Sequence, residues 1–88
     1  MNENVFRERA EKEGYNVDKP NSLTPNKHNA KHSHPFDAQV MVLEGSITIG
    51  CSGESTTYGP GDTCSMLSET PHTETVGADG VTLLVARR

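Results

Sequence analysis

Residues 32–45 read HSHPFDAQVMVLEG, and this stretch contains most of what decides the fold. Two histidines separated by one residue begin it, a run of four apolar residues, Val40–Leu43, follows, and Glu44 and Gly45 end it with turn-forming chemistry. In an extended strand residues i and i+2 point to the same face, so His32 and His34 would project side by side. The stretch therefore predicts strand structure with a pair of imidazoles at its start.

The chain on the C-terminal side continues as short strand-like runs separated by turns. We predict strands at residues 36–43, 46–49, 55–58, 63–67, 72–76 and 81–86, with turns at 44–45, 51–54, 59–62 and 78–80. Strands of four to eight residues with a turn about every ten residues are typical of antiparallel sandwiches and barrels. The predicted fold is therefore mainly β, a small antiparallel β-barrel or jelly roll with a short N-terminal helix.

The remaining residues are assigned to two segments of the same single domain. Residues 1–14 predict a helix, because residues 3–13 are rich in helix formers and Gly14 is a typical helix end. Residues 15–31 are rich in asparagine and proline and predict a loop, with at most one short edge strand at Tyr15–Val17. Residues 32–88 form the predicted barrel.

Composition and charge exclude several classes of protein. Eight basic against twelve acidic side chains, a net charge of −4, argue against a nucleic-acid partner. The longest apolar run is far shorter than the ~20 residues of a membrane span, and the polar start Met1–Asn4 is unlike a secretory signal. We therefore expect a cytoplasmic protein in which Cys51 and Cys64 are free thiols.

A thin core is expected from the apolar content of 32% and the absence of tryptophan. Small domains of this kind often depend on a partner subunit or a bound ion. We expect a homodimer in which residues 15–19 or the N-terminal helix cover a sheet edge of the partner.

A third histidine makes a metal site possible. His72 follows Pro71 at the start of a predicted strand and could join His32 and His34 on one ion, at metal–nitrogen distances of about 2.0–2.1 Å. Gln39, early in the strand after His34, could add a side-chain oxygen. The alternative is a pair of surface histidines on an edge strand that Pro35 protects from pairing.

Two motifs in this order resemble those of the cupin superfamily. The first comprises His32-Ser33-His34, Gln39 and Val42–Gly45, and the second comprises Pro60–Asp62 and Thr70–His72. The resemblance covers about residues 28–86 and implies a compact antiparallel barrel or jelly roll. It places the usual metal ligands at His32, His34, Gln39 and His72, and the ion would be divalent iron, zinc, manganese or nickel.

One residue departs from the family pattern, because the first motif ordinarily supplies a glutamate where this chain has Gln39. An amide carries no negative charge, so metal affinity should fall and the Lewis acidity of the ion should rise. Gln39 could instead sit off the metal, orienting a water or hydrogen-bonding within the barrel, and three histidines would then hold the ion alone.

Other residues are weaker candidates. Glu74 shares a strand face with His72 and is the one plausible carboxylate base near the ion, although a solvated strand face explains it equally well. The candidates for lining the pocket are His28, Met41, Leu43, Cys64 and Met66. The simplest alternatives are an exposed loop position for His28 and ordinary core positions for the others.

Three functions are compatible with these residues. The first is a metal-dependent cupin that binds or transforms a small polar organic molecule, as an oxygenase, lyase or isomerase. The second is a binding or sensing module that holds such a ligand without turnover. The third is a structural barrel with neither metal nor ligand.

Overall fold

The computed structural model describes all residues, Met1–Arg88, as one helix and seven strands. These elements are α1 (Glu3–Lys12), β1 (Asn16–Val17), β2 (Asn21–Leu23), β3 (His28–His32), β4 (Ala38–Cys51), β5 (Glu54–Tyr58), β6 (Thr63–Met66) and β7 (His72–Arg87). All strand pairs are antiparallel, with β4 and β7 paired at the centre, β1, β2 and β3 added to β7, and β5 and β6 added to β4. This curled antiparallel sheet with a short N-terminal helix confirms the predicted fold class.

The two central strands, β4 and β7, bend at the same level of the sheet. Turns had been predicted at both of these positions. Residues 44–45 and 78–80 continue β4 and β7 without a break, and the register between the strands shifts on either side of Glu44 and Gly45. Gly45 and Gly80 have φ angles of +75° and +78°, and a Cβ on Gly45 would collide with the carbonyl oxygen of Gly80. The prediction of two turns was wrong because a glycine pair at a β-bulge has the same composition as a turn.

Residues 15–31 contain more strand than the predicted loop. The edge strand expected at Tyr15–Val17 is present as β1, but β2 and β3 also pair with β7. Their side chains are mostly polar and half or fully exposed, so no alternating pattern marks them. Backbone hydrogen bonds to a neighbouring strand create these two elements, and such bonds leave little trace in the side-chain sequence.

Both faces of the N-terminal half of β4 are covered. On the outer face, Met41 packs with Leu84 against Phe6 and Ala10 of the helix, and on the inner face Val42 joins a second cluster with Leu83. A strand covered on both faces has apolar residues at every position, which explains the run Val40–Leu43. The helix therefore covers one face of the sheet of its own chain.

The structure also bears on the cysteines and on membrane-spanning helices. Cys51 and Cys64 are free, as expected. The chain contains no helix with both the length and the apolar character needed to span a membrane.

Candidate metal centre

Three histidines from separate parts of the chain meet at one end of the barrel interior. His32 ends β3, His72 begins β7 as its register partner, and His34 lies in the segment that leads to β4. Their ring centroids are 4.4 Å (His32–His72), 4.9 Å (His32–His34) and 5.3 Å (His34–His72) apart. One nitrogen from each ring lies within 4.8 Å of the other two. Two nitrogens on a common ion at about 2.1 Å can be at most about 4.2 Å apart, so the three rings are close to binding distance.

Backbone carbonyls orient two of the rings. Nδ1 of His32 lies 2.7 Å from the carbonyl oxygen of Ala30, and Nδ1 of His72 lies 2.9 Å from that of Thr70. A carbonyl oxygen only accepts, so each Nδ1 carries a hydrogen, and in the neutral ring Nε2 keeps a free lone pair. Two Nε2 atoms are thereby prepared to bind a cation.

Glu74 lies beside these two nitrogens. Its Oε1 is 3.5 Å from Nε2 of His32, and its Oε2 is 3.9 Å from Nε2 of His72. The amide Nδ2 of Asn29 donates to Oε1 at 2.9 Å and holds the carboxylate in place. Lone pairs and an anion repel one another unless a positive charge lies between them, so this donor set fits a divalent cation.

The surroundings of His34 favour the metal-binding form of its ring. His72 is only 3% exposed, whereas His32 and His34 are half-buried. Burial, with a smaller contribution from the neighbouring His32 and His72, lowers the pKa of His34, and Glu74 acts in the opposite direction. The neutral ring is the form that coordinates a metal.

Gln39, which was predicted as a fourth ligand, lies elsewhere. Its Nε2 donates to Oε2 of Glu13 at 3.0 Å, on the outer side of the sheet beside the helix. The residues of β4 that face the interior are Ala38, Val40 and Val42. This placement agrees with the alternative in which Gln39 sits off the metal, and it gives no support to Gln39 as a ligand. The segment between His34 and Ala38 is not a regular strand, so the alternation of faces cannot be counted through it.

A cavity of about 390 Å³ adjoins the histidines, and only some of the predicted lining residues line it. Cys64 and Met66 line it as predicted. Met41 and Leu43 do not, because they pack under the helix. His28 is exposed and pairs through Nδ1 with Oγ1 of Thr75 at 2.9 Å, at the start of β3 and not in a loop.

Several lining residues were not identified from the sequence. Asn29, which holds Glu74, and Phe36, whose ring stacks on His34 at 5.0 Å, have no sequence pattern that marks them. Arg87, at the C-terminal end of β7, also lines the cavity, and no sequence pattern marks it. Only the pairing of β7 with β1 and β4 brings it there.

Several solved structures have a fold similar to that of this chain, and two of those described below are named as enzymes. They include a cupin-2 domain protein from Shewanella frigidimarina (16% identity, TM-score 0.68, covering 82% of this chain and 68% of that one). The polyketide cyclase RemF from Streptomyces resistomycificus has 21% identity and a TM-score of 0.67, covering 83% of this chain and 52% of that one. The DMSP lyase DddQ from Ruegeria pomeroyi has 23% identity and a TM-score of 0.71, covering 78% and 36%.

Sequence comparisons assign no family to this chain, because no protein-family model and no curated protein match it. At identities this low, structural likeness establishes the fold and not the activity. The chain has the cupin fold, as its two motifs predicted.

Proposed function

We propose that this cupin-fold chain binds one divalent metal ion between His32, His34 and His72, with Glu74 as the anionic partner of the ion. The observation that carries the proposal is the orientation of the rings: two Nε2 lone pairs and a carboxylate face one another at 3.5–3.9 Å. Such a cluster is stable when a cation occupies it. Iron, zinc, manganese and nickel all accept imidazole and carboxylate ligands.

The cavity beside the ion would hold a small organic molecule. Its volume of about 390 Å³ falls within the range of small-molecule sites. A metal with an open position polarises a bound oxygen atom, or supports oxygen chemistry if it is redox-active. The histidines would hold the ion, Glu74 would balance its charge or accept a proton from the bound molecule, and the apolar walls would exclude water.

Turnover and simple binding are both compatible with this site. Support for an enzyme comes from the two neighbours named as a lyase and a cyclase. Support for a binding or sensing module comes from Glu74, which is held by Asn29 and two histidines and so has little freedom to move protons. A screen for product with the metal-loaded protein distinguishes the two, because a binding module raises the melting temperature with ligand and releases no product.

Elemental analysis of untagged protein, purified without chelator, tests the metal site. We expect near-stoichiometric metal in the wild type and none in the double variant His32→Ala/His72→Ala. His28→Ala is the matched control, because this histidine is exposed and lies outside the cluster. A wild type that stays metal-free after anaerobic reconstitution would contradict the proposal and favour a barrel that binds its ligand without metal.

A further inference from the structure

The interior of the barrel is apolar beyond the histidine cluster. Val42 and Ile47 are 2% exposed and Leu83 is 6% exposed, and they line the cavity together with Val40 and Val85. These five side chains offer no hydrogen-bond partner, so the part of a ligand that lies beside them must be apolar, or it loses its hydration without compensation. Polar groups line other parts of the cavity, among them Asn21, Tyr58 and Asp62. An aliphatic or aromatic body fits beside these five apolar side chains, which favours an amphipathic ligand with one polar end.

Two cations, Arg87 and Lys19, lie among the lining residues. Arg87 ends β7, and Lys19 lies in the segment between β1 and β2. The guanidinium of Arg87 is 5.4 Å from the ring centre of Phe36, whose ring stacks on His34 at 5.0 Å. The guanidinium therefore lies within one small-molecule length of the proposed metal centre.

The present partner of Arg87 is easily exchanged. Its Nη2 contacts Oδ2 of Asp18 at 2.9 Å, and both side chains are well exposed, at 50% and 39%. Exposed ion pairs contribute little to stability, so a ligand carboxylate can take the place of Asp18 at small cost. Lys19 takes part in no ion pair of the chain and can contribute a second positive charge.

We propose that the ligand of this cavity is a small organic acid with an apolar body. Its carboxylate binds Arg87 and Lys19 at the mouth, and its body extends past the histidines between Val42 and Ile47. Arginine suits this task because its planar guanidinium binds a carboxylate through two parallel hydrogen bonds. This assignment rests on the proposed function in taking the cavity as the ligand site, but recognition of the acid by Arg87 does not itself require the ion.

Calorimetric titration with matched probes tests the assignment. The probes are 3-phenylpropionate, hexanoate, the uncharged 3-phenylpropionamide, and gluconate as an acid without an apolar body. We expect both apolar acids to bind, the amide to bind about tenfold more weakly or worse because it lacks the charge, and gluconate not to bind. Equal affinity for 3-phenylpropionate and its amide, stronger binding of gluconate, or no binding of either apolar acid at millimolar concentration would each overturn the proposal.

A pair of neighbouring arginines supplies the variant and its control. Arg87→Gln should weaken binding of 3-phenylpropionate about tenfold and reduce its preference over the amide, with Lys19 as the remaining positive charge. Arg88→Gln should leave both unchanged, because Arg88 packs on Tyr15 and pairs with Asp37 outside the cavity. Melting temperatures of both variants verify that they are folded.

Titrations of metal-free and zinc-loaded protein separate this inference from the proposed function. A preference for the acid that depends on Arg87 in both samples supports the inference, even if elemental analysis shows that the purified protein carries no metal. A preference that appears only in the zinc-loaded protein and survives Arg87→Gln means that the ion binds the carboxylate. That result would overturn the inference and leave the metal site standing.

Discussion

At the scale of single residues, local backbone contacts prepare the histidine cluster. His32 and His72 each bond through Nδ1 to the carbonyl oxygen two residues earlier, Ala30 and Thr70 respectively. The orientation of both rings is thus set within a few residues of chain, and the tertiary fold has only to bring the two strands together. His34 is placed differently, by stacking on Phe36.

Glu74→Gln tests the anionic partner of the ion. The amide keeps the size of the side chain but removes its charge, so we expect the dissociation constant of the metal to rise about 10–100-fold, the range found for groups that support a metal site. Competition with a chromogenic chelator measures this constant. Glu44→Gln, at an exposed position on the bend, is the control, and equal affinities of the two variants would show that Glu74 is not the partner of the ion.

Cys64 should be an unreactive thiol. Burial, and secondarily the charge of Glu74, raise its pKa from 9.0 to about 11. Since the thiolate is the nucleophile, we expect alkylation of Cys64 in a Cys51→Ser variant to remain slow until the pH approaches that value. Mass spectrometry of iodoacetamide-treated protein follows the reaction, and fast alkylation at pH 8 would contradict the prediction.

The same pKa shift affects stability at high pH. Below about pH 9 the Cys64 thiol is protonated in both the folded and the unfolded chain, so its contribution to the free energy of unfolding is at its maximum and does not change with pH. Between pH 9 and about 11 the unfolded chain loses the proton while the folded chain retains it, so that contribution is lost as the pH rises. A Cys64→Ala variant should show a smaller loss of stability over this range in urea denaturation.

At the scale of elements, the common bend of β4 and β7 creates the cavity. Ala38, Val40 and Val42 face inward before the bend, and Ile47 and Ile49 face inward after it. The inward-facing residues have even numbers before the bend and odd numbers after it, because the bulge inserts one extra residue into β4. This insertion keeps apolar side chains on the inner face in both halves of the strand. In a regular strand without the bulge, Ile47 and Ile49 would point outward.

Gly45→Ala should destabilise the protein more than Gly14→Ala does. Both glycines have positive φ, a conformation that costs an L-residue about 1–2 kcal/mol. A Cβ at Gly14 meets nothing within 4 Å, whereas one at Gly45 meets the backbone of Gly80 and Val81. Urea denaturation of both variants measures the difference, and equal losses would show that the bend tolerates a side chain at this point.

At the scale of the whole molecule, the core is thin and divided. Only 13 of the 88 residues are buried, and the apolar ones form one cluster under the helix and one around the bend. The buried His72 lies outside both clusters, in the group of three histidines proposed to hold the ion. A bound ion would therefore tie β3 and β7 together where apolar packing does not.

Metal binding should raise the melting temperature. An ion that binds only the folded chain adds about 2.7 kcal/mol when its free concentration is a hundredfold above the dissociation constant. For a domain of this size that corresponds to a shift of roughly 10–20 °C, which scanning calorimetry with and without a chelator would detect. The His32→Ala/His72→Ala variant should show no shift.

The homodimer expected from the thin core stays a prediction, as does a cytoplasmic location. The helix packs on its own chain, which leaves β1 and residues 18–19 as the segment expected to meet a partner. Sedimentation velocity at micromolar concentration should show a species of twice the chain mass. A monomer would contradict the prediction.

Local sequence features were enough to predict the cupin fold and to mark the three histidines of the cluster. Turn residues at regular intervals and the two motifs identified the cupin fold. The His32-Ser33-His34 spacing and the Thr70–His72 segment marked the three histidines, because each motif is local, although only strand pairing brings His72 to the other two. The inner face of β4 could not be determined in this way. Val40–Leu43 is apolar at every position, so either alternation of faces was acceptable, and the wrong one placed Met41 and Leu43 in the cavity.

Only the tertiary structure decided the remaining parts of the site. Gln39 bonds to the helix, Glu74 takes the place beside the histidines, and Arg87 reaches the cavity mouth. Each of these placements depends on strand register and on a bulge between residues distant in the chain. Register is specified by alternation of apolar and polar residues. The run Val40–Leu43 is apolar at every position and β2 and β3 are mostly polar, so these segments carry no alternation from which the register could be predicted.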